Sequence, residues 1–144
     1  MPQLRPRSRP ASAGLTLEDY RLLARFRHLL RQFFVFSEAS AKAAGVTAQQ
    51  HRAVLSIRVF DGRATVGDLA RDLMIKHHSA VGLTDRLVRA GLIARNPDPA
   101  DRRRVTLALT PEGEAMLLAV SGVNREELRR LAPMLRKLMA QLER

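Results

Sequence analysis

The sequence predicts a mainly α-helical (α+β) fold in which a helix-turn-helix is followed by a two-stranded β-hairpin, with a long helix on either side. Three observations predict it. Apolar residues recur at helical spacing before and after the centre of the chain. Between residues 65 and 90, a short helix, a tight turn and a longer helix follow one another. Residues 92–94 and 105–109 then show strand patterns joined by turn-forming residues. This order of elements is that of a winged helix-turn-helix.

Composition limits the classes of protein to which the chain can belong. Its 144 residues are enough for one domain with a proper core. The net charge of +11 indicates an anionic partner, which is nucleic acid, an acidic protein or an anionic membrane surface. The absence of cysteine excludes a disulfide scaffold, a thiolate nucleophile, a thiol redox sensor and a Cys-ligated zinc site. No apolar run approaches the roughly 20 residues that span a bilayer, so we expect a soluble, cytoplasmic protein.

The chain divides into a short tail and one domain. Residues 1–14 contain three Pro and three Arg and few residues that could be buried, so we expect a disordered basic tail. Such a tail either keeps the protein in solution or contacts nucleic acid. The single domain is expected at residues 15–144. Within it, the winged helix should cover about residues 46–110, and the flanking helices about 16–44 and 111–143.

The first helix carries more apolar surface than its neighbours can cover. Thr16 should begin it, because Glu18 and Asp19 follow where the helix dipole favours negative charge, and Gly45 should end it. The short helices that follow are too small to cover its apolar stripe, so we expect a second copy of the chain to do so. The stripe comprises Leu22, Leu23, Phe26, Leu29, Leu30, Phe33, Phe34 and Phe36.

Two capping boxes place the next two helices. The residues TAQQ at 47–50 should begin a helix that ends at the turn formed by residues 61–62. Residues 64–65 should add a minimal strand. The residues TVGD at 65–68 then cap a third helix, which carries on one face Val66, Leu69, Ala70 and Leu73.

A four-residue turn at 74–77 should lead into a fourth helix at 78–90, with Gly91 following its C-cap. Its expected inward face consists of Ala80, Leu83, Thr84, Leu87 and Ala90. The second helix of a helix-turn-helix enters the major groove of DNA, so the outward side chains and the turn are candidate DNA contacts. These candidates are Lys76, His77, His78, Ser79, Val81, Gly82 and Arg86, beside Asp85 and Arg89 on the same face.

The hairpin carries three consecutive arginines, Arg102, Arg103 and Arg104, after the turn-forming residues 96–101. Such a hairpin is a poor core element and a suitable probe for an anion, with nucleic acid as the first candidate. Because successive strand side chains alternate, Arg103 and one neighbour are the expected probes.

The rest of the chain is predicted to be helical. Thr110 and Pro111 should cap a fifth helix, in which Gly122 is a candidate kink. Pro133 is expected to begin a short last helix that ends near Glu143.

The histidines do not indicate a metal site. His77 and His78 are adjacent on a helix and therefore point about 100° apart, and no third ligand lies nearby in the sequence. His28 and His51 are either hydrogen-bonded structural residues or part of a ligand pocket. No nucleophile, base and orienting residue recur at a catalytic spacing, so we expect neither an enzyme nor a cofactor.

Over roughly residues 16–143, the chain resembles the MarR family of winged-helix transcriptional regulators. The most specific segment is DRRRVTLALTPEG at residues 101–113, which matches the family's wing signature. The segments GVTAQQHRAVLSI at 45–57 and HHSAVGLTDRLVRAGLIAR at 77–95 support it. Gly82 and Val81 stand where many relatives have polar or basic residues.

The resemblance implies a homodimer whose N- and C-terminal helices intertwine and whose two winged lobes bind a palindromic operator on double-stranded DNA. It implies that Arg103 lies in the minor groove at the wing tip, braced by an ion pair with Asp85. It also implies a small phenolic or aromatic-acid effector that releases the operator. By this analogy the candidate pocket residues are His28, Phe33, Phe36, His51 and Leu55.

The leading hypothesis is therefore a dimeric, sequence-specific DNA-binding regulator, most simply a repressor relieved by a small ligand. The alternative is a winged-helix adaptor that binds an acidic protein partner and no operator. The wing arginines, with Lys76, His77 and Ser79 at the start of the fourth helix, favour the DNA-binding hypothesis, because an adaptor has no need of a phosphate-facing helix start.

Overall fold

A computed structural model describes residues 14–144, so that residues 1–13, most of the predicted tail, lie outside the described residues. The fold is mainly helical with one two-stranded antiparallel sheet, which confirms the predicted fold class. The elements in order are α1 (Leu17–Ala43), α2 (Ala48–Val59), α3 (Val66–Leu73), α4 (His77–Arg89), β1 (Ile93–Pro97), β2 (Val105–Leu109) and α5 (Pro111–Leu142).

Threonine side chains fix the start of four helices, as the sequence predicted. Thr16, Thr47 and Thr65 each form a capping box with the residue three positions later, so that backbone groups at the helix start are paired. The N–H groups of Thr16 and Thr65 donate to Asp19 and Asp68, and these bonds hold the pKa of both carboxyls below its usual value.

The turn between α3 and α4 is one residue shorter than predicted. Met74 adopts a left-handed conformation with φ of 55° and ends α3, while the N–H of Ile75 donates to the carbonyl of Ala70 at 3.0 Å. Because this motif closes α3 within two residues, only Lys76 is left before α4, which begins at His77 instead of His78.

The hairpin is longer than predicted on its first side. Residues 96–97, expected in the turn, belong to β1, where Pro97 lies opposite Val105 and Ile93 opposite Leu109. Ala64 forms an isolated bridge to Leu107, whose N–H donates to the Ala64 carbonyl at 2.7 Å. The strand predicted at residues 64–65 is thus reduced to one bridge at Ala64, which joins the hairpin to the segment between α2 and α3.

One core holds α2, α3, α4 and the hairpin together. The inward face of α4 is as predicted at four positions, because Ala80, Leu83, Thr84 and Leu87 are buried. Ala90 was predicted to be buried but is exposed, since it follows the last residue of α4 as the C-cap. The fully buried larger side chains of this core are Val54, Ile57, Leu69, Leu83, Leu87, Ile93 and Leu107.

The long helices α1 and α5 pack on each other through a second, smaller core of Leu29, Leu131 and Leu138. The prediction that Pro133 begins a separate helix is wrong, because α5 runs without a break from Pro111 to Leu142. An interior proline costs about 3 kcal/mol. Burying Leu131 and Leu138 on either side of it contributes about 1.5–3 kcal/mol each, which offsets that cost.

The start of α5 is fastened to the end of α4. Thr110 donates from its hydroxyl to the Gly91 carbonyl at 2.6 Å and from its N–H to the Leu92 carbonyl at 3.1 Å. The same hydroxyl accepts the N–H of Gly113 at 3.1 Å. Gly113 lies so close to Leu92 that a Cβ atom on it would be 2.0 Å from the Leu92 carbonyl oxygen. A side chain therefore does not fit at this position.

A row of large apolar side chains on α1 remains exposed in the single chain. Leu23, Phe26, Leu30 and Phe34 are between 38% and 60% exposed. On α5, Met134, Met139 and Leu142 are likewise exposed. Contiguous apolar surface of this kind marks an interaction site. Within residues 14–144, no helix is both long and apolar enough to cross a membrane.

Candidate nucleic-acid interface

The outward face of α4 consists of side chains that the core does not use. Its exposed members include His78, Val81, Arg86 and Arg89, while Gly82 and Asp85 are half-buried. The opposite face is fixed by burial and by the hydroxyl of Thr84, which donates to the Ala80 carbonyl at 2.8 Å. The orientation of α4 about its axis is therefore set by the core, and the predicted candidates of this helix lie on its free side.

The N-terminus of α4 differs from those of the other helices that the structure describes. A threonine side chain caps each of the other four, whereas Lys76 stands at the N-cap of α4 and makes no capping hydrogen bond. The first N–H groups of a helix need acceptors, and phosphate oxygens are suitable ones. Lys76, His77, His78 and Ser79 are all exposed at this end.

Aspartates shape the tip of the hairpin. Asp101 accepts the N–H of Arg103 at 3.0 Å through its carboxylate and the N–H of Arg104 at 3.0 Å through its carbonyl. Asp98 accepts the N–H of Ala100 at 2.9 Å. These local bonds order the tip and leave the arginine side chains free to point away from it.

The three arginines of the tip have different surroundings. Arg103 lines a groove of 510 Å³ between the hairpin and the starts of α3 and α4, together with His77 and Arg71. Arg104 borders the same groove, but it also donates to the Arg63 carbonyl at 3.4 Å and lies 3.9 Å from the Asp98 carboxylate. Arg102 is exposed. The structure thus brings Arg103 close to the start of α4. It joins Arg104 to Arg63, in the segment before α3, and to Asp98, the first residue after β1.

Asp85 braces the hairpin through a different arginine from the one predicted. The expectation of an Asp85–Arg103 pair is wrong, because the Asp85 carboxylate accepts a hydrogen bond from Arg95 on β1. Both partners are about 40% exposed, so the pair contributes little to stability. The pair instead positions the hairpin, because it joins Arg95 in the middle of β1 to Asp85 on α4.

Arg95 and Arg71 were not among the candidate DNA contacts predicted from the sequence. Arg95 follows the three apolar residues 92–94, and this change from apolar to charged could have marked it as a candidate. Arg71 lies three residues after Asp68, with which it forms an ion pair at 2.6 Å, and its place beside Arg103 depends on how α3 packs against the hairpin.

The five candidate ligand-pocket residues do not line one cavity. His28 lines an apolar groove of 530 Å³ between α1 and the end of α5, and none of the other four borders it. Phe33 packs against the small core of α1 and α5, Phe36 is half-buried, and Leu55 is exposed. His51 is buried, so it does not meet the exposed His28 across the core. Within residues 14–144, no three potential metal ligands come together.

His51 is buried on α2, and its Nε2 atom has no hydrogen-bond partner among the described residues. The hydrogen bond expected of a structural histidine is therefore not formed at this atom, and the ligand-pocket interpretation stays a prediction. Burial, and then the positive charge of Arg52, lower the pKa of His51 below its ordinary value of 6.5. As the pH falls, the unfolded chain therefore binds a proton at His51 before the folded protein does.

We expect this burial to make the protein less stable in mild acid. Above about pH 7 neither state binds the proton, and as the pH falls below 6.5 only the unfolded chain binds it, so the free energy of unfolding decreases. The limiting slope for one proton is about 1.4 kcal/mol per pH unit.

Urea unfolding at pH 7.5 and 5.5 measures the loss of unfolding free energy between the two pH values, and His51→Leu should reduce that loss. The exposed His28 provides the control, His28→Gln, which should keep the loss. Equal losses in wild type and His51→Leu would contradict the prediction.

Comparison with known proteins assigns the family. A model described as MarR family matches residues 44–104. The HTH-type transcriptional regulator FarR of Neisseria gonorrhoeae is 34% identical over 111 residues, which are 76% of this chain and 68% of FarR. The next two curated relatives, both from Bacillus subtilis, are matched over about half of their length, 47% and 53%.

Solved structures have the same fold. The MarR family transcription regulator SP03579 superimposes with a TM-score of 0.73 at 26% identity, covering 88% of this chain and 84% of that one. A point mutant of MepR from S. aureus, solved bound to an oligodeoxyribonucleotide, has a TM-score of 0.64 at 23% identity, covering 90% and 95%. The identity to FarR over most of both chains, with the matching family model, shows that this chain belongs to the MarR family of transcriptional regulators.

Proposed function

We propose that the protein binds an operator in duplex DNA as a homodimer, in the cytoplasm, and represses transcription from it. The observation that carries the proposal is the groove in which Arg71 of α3, His77 of α4 and Arg103 of the hairpin meet. Three elements contribute a basic side chain to it, and its acidic lining among the described residues is Asp68 and Asp101. Asp68 is engaged by Arg71 and by the cap of α3, and Asp101 by backbone groups of the hairpin tip.

This groove has the position that a phosphate strand would need. If α4 enters the major groove and the hairpin enters the next minor groove, the strand that separates the two grooves runs between α4 and the hairpin. Arg71, His77 and Arg103 would then contact its phosphates. The uncapped N-terminus of α4 offers further N–H donors at the same place.

The homodimer follows from the exposed apolar faces of α1 and α5. Residues such as Phe26 and Phe34 would be removed from water by a second copy. A two-fold dimer presents two α4 helices to DNA, so its operator would be palindromic, with half-sites about one helical turn apart. The MepR structure, solved bound to an oligodeoxyribonucleotide, supports DNA binding by this fold.

A small aromatic acid is the proposed signal that releases the operator. Because the five candidate residues do not line a single cavity in the one chain, the proposed ligand site would be completed by the second copy. The support is the family membership and the buried, unpartnered Nε2 of His51, which in its N–H tautomer could donate a hydrogen bond to a ligand carboxylate.

Titration with duplex DNA tests the proposal. We expect the protein to bind the region upstream of its own gene in a gel-shift assay, and to bind it more tightly than an unrelated duplex of equal length. Because neutralised phosphates release counterions, affinity should fall by about a thousandfold or more between 50 and 200 mM salt. A salt-independent interaction would contradict operator binding, and an equal affinity for both duplexes would contradict sequence specificity. Adding benzoate to the same titration tests the effector, since release of the duplex is expected.

A further inference from the structure

We infer that Arg86 is the side chain of α4 that reads a base, and that the base is a guanine in each half-site. This inference rests on the proposed function and adds the residue that sets specificity. It is carried by the relation between Arg86 and Gly82, one turn earlier on the outward face of the helix.

Gly82 leaves an open position that the Arg86 guanidinium occupies. Side chains on a helix lean towards its N-terminus, so residue 86 covers the turn that begins at residue 82. Nη1 of Arg86 lies 3.5 Å from the point where a Cβ atom on Gly82 would stand. The planar guanidinium thus lies over the turn of α4 at Gly82, where the helix has no side chain.

The other charged side chains near this point are occupied. Asp85 is engaged by Arg95, and Nε of Arg89 donates to the Asp85 carbonyl at 3.4 Å. Within residues 14–144, the Arg86 side chain forms no hydrogen bond or ion pair, so all its donors are available. The Arg86 guanidinium therefore makes no polar contact that would stabilise the single chain.

The middle turn of α4 is the part that would approach the bases. A helix is about 10–12 Å wide with its side chains and the major groove is about 12 Å wide, so α4 can enter it with its outward face, which includes the turn of Gly82 and Arg86, towards the base edges. The absence of a side chain at Gly82 lets this turn come closer. A guanidinium there matches guanine, whose O6 and N7 atoms accept two parallel hydrogen bonds.

Selection from a random-sequence duplex library tests the inference with the full chain. We expect the wild type to enrich a site with one invariant guanine per half-site. Arg86→Ala removes the guanidinium, so it should lose the preference for that guanine by about 5- to 150-fold while the salt dependence is kept, because a base contact neutralises no phosphate. Gly82→Leu fills the space over which the guanidinium lies and should lose the same preference, although leucine favours the helix.

The matched control is Arg129→Ala, the same change at an arginine of α5 that pairs with Glu126, which should leave the enriched site unchanged. An Arg86→Ala protein that still selects the guanine would overturn the inference alone, because another group would then read that base. So would an Arg86→Ala protein that loses affinity equally for all sequences with a salt slope reduced by about 0.9. A wild type that enriches no sequence would overturn the proposed function together with the inference.

Discussion

Replacing Gly113 with alanine is expected to destabilise the protein more than any other single methyl group added to α5. The new Cβ would lie 2.0 Å from the Leu92 carbonyl oxygen and 3.0 Å from its carbonyl carbon, so the backbone of one segment has to move. That carbonyl also accepts the N–H of Thr110, and moving it breaks the junction between α4 and α5. We expect a loss of roughly 3 kcal/mol or more in the free energy of unfolding, at the upper end of what overpacking costs.

Urea unfolding at a fixed protein concentration measures the effect, since a dimer's stability depends on concentration. Gly122→Ala is the matched control on the same helix, because no atom of another segment within residues 14–144 lies within 4 Å of the position of its Cβ. That variant should be as stable as wild type or up to about 1 kcal/mol more stable. If Gly113→Ala unfolded at the same urea concentration as Gly122→Ala, the close approach to Leu92 would be disproved.

Arg103→Ala is expected to weaken operator binding at least about fivefold while the dimer stays intact. Arg103 lies in the groove that the proposed phosphate strand crosses, and a single arginine contact to DNA contributes about 1–3 kcal/mol. The side chain is exposed and belongs to neither core, so neither folding nor the apolar face of α1 should change.

Gel-shift titration gives the affinity of this variant, and sedimentation gives its oligomeric state. Arg102→Ala is the control, since it removes the same charge from an exposed neighbour that does not line the groove. An Arg103→Ala protein with wild-type affinity would remove the hairpin from the proposed mechanism. An Arg102→Ala protein weakened to the same extent would show that only net charge matters.

Local signals in the sequence predicted most of the fold. A threonine followed three residues later by an acid or amide group begins α1, α2 and α3 at the expected positions. These signals work because the partners are close in the chain and the bond they form is part of the helix start itself. The inward face of α4 was predictable for a similar reason, since four apolar or small residues at helical spacing allow only one orientation.

Interactions between distant segments were harder to predict. Two arginines of the hairpin, Arg95 and Arg103, were available to Asp85, and the choice between them depends on how the hairpin tilts against α4. At Pro133 a local rule failed, because the burial of Leu131 and Leu138 against α1 outweighs the cost of an interior proline. The candidate site was predicted on α4 and the hairpin. Arg71 was missed because its position beside Arg103 depends on how α3 packs against the hairpin, which no local sequence pattern shows.

The hydrogen bonds of Thr110 to Gly91 and Leu92 couple the position of α5 to that of α4. From Pro111 to Leu131, α5 is about 30 Å long. One end is bonded to the residues that directly follow α4, and the other end packs on α1. A tilt of about 5° at the α1 end would move the fastened end by about 3 Å. That displacement is comparable to the rise of one base pair, so in the proposed dimer the angle between the two long helices would set whether both α4 helices fit the same stretch of DNA.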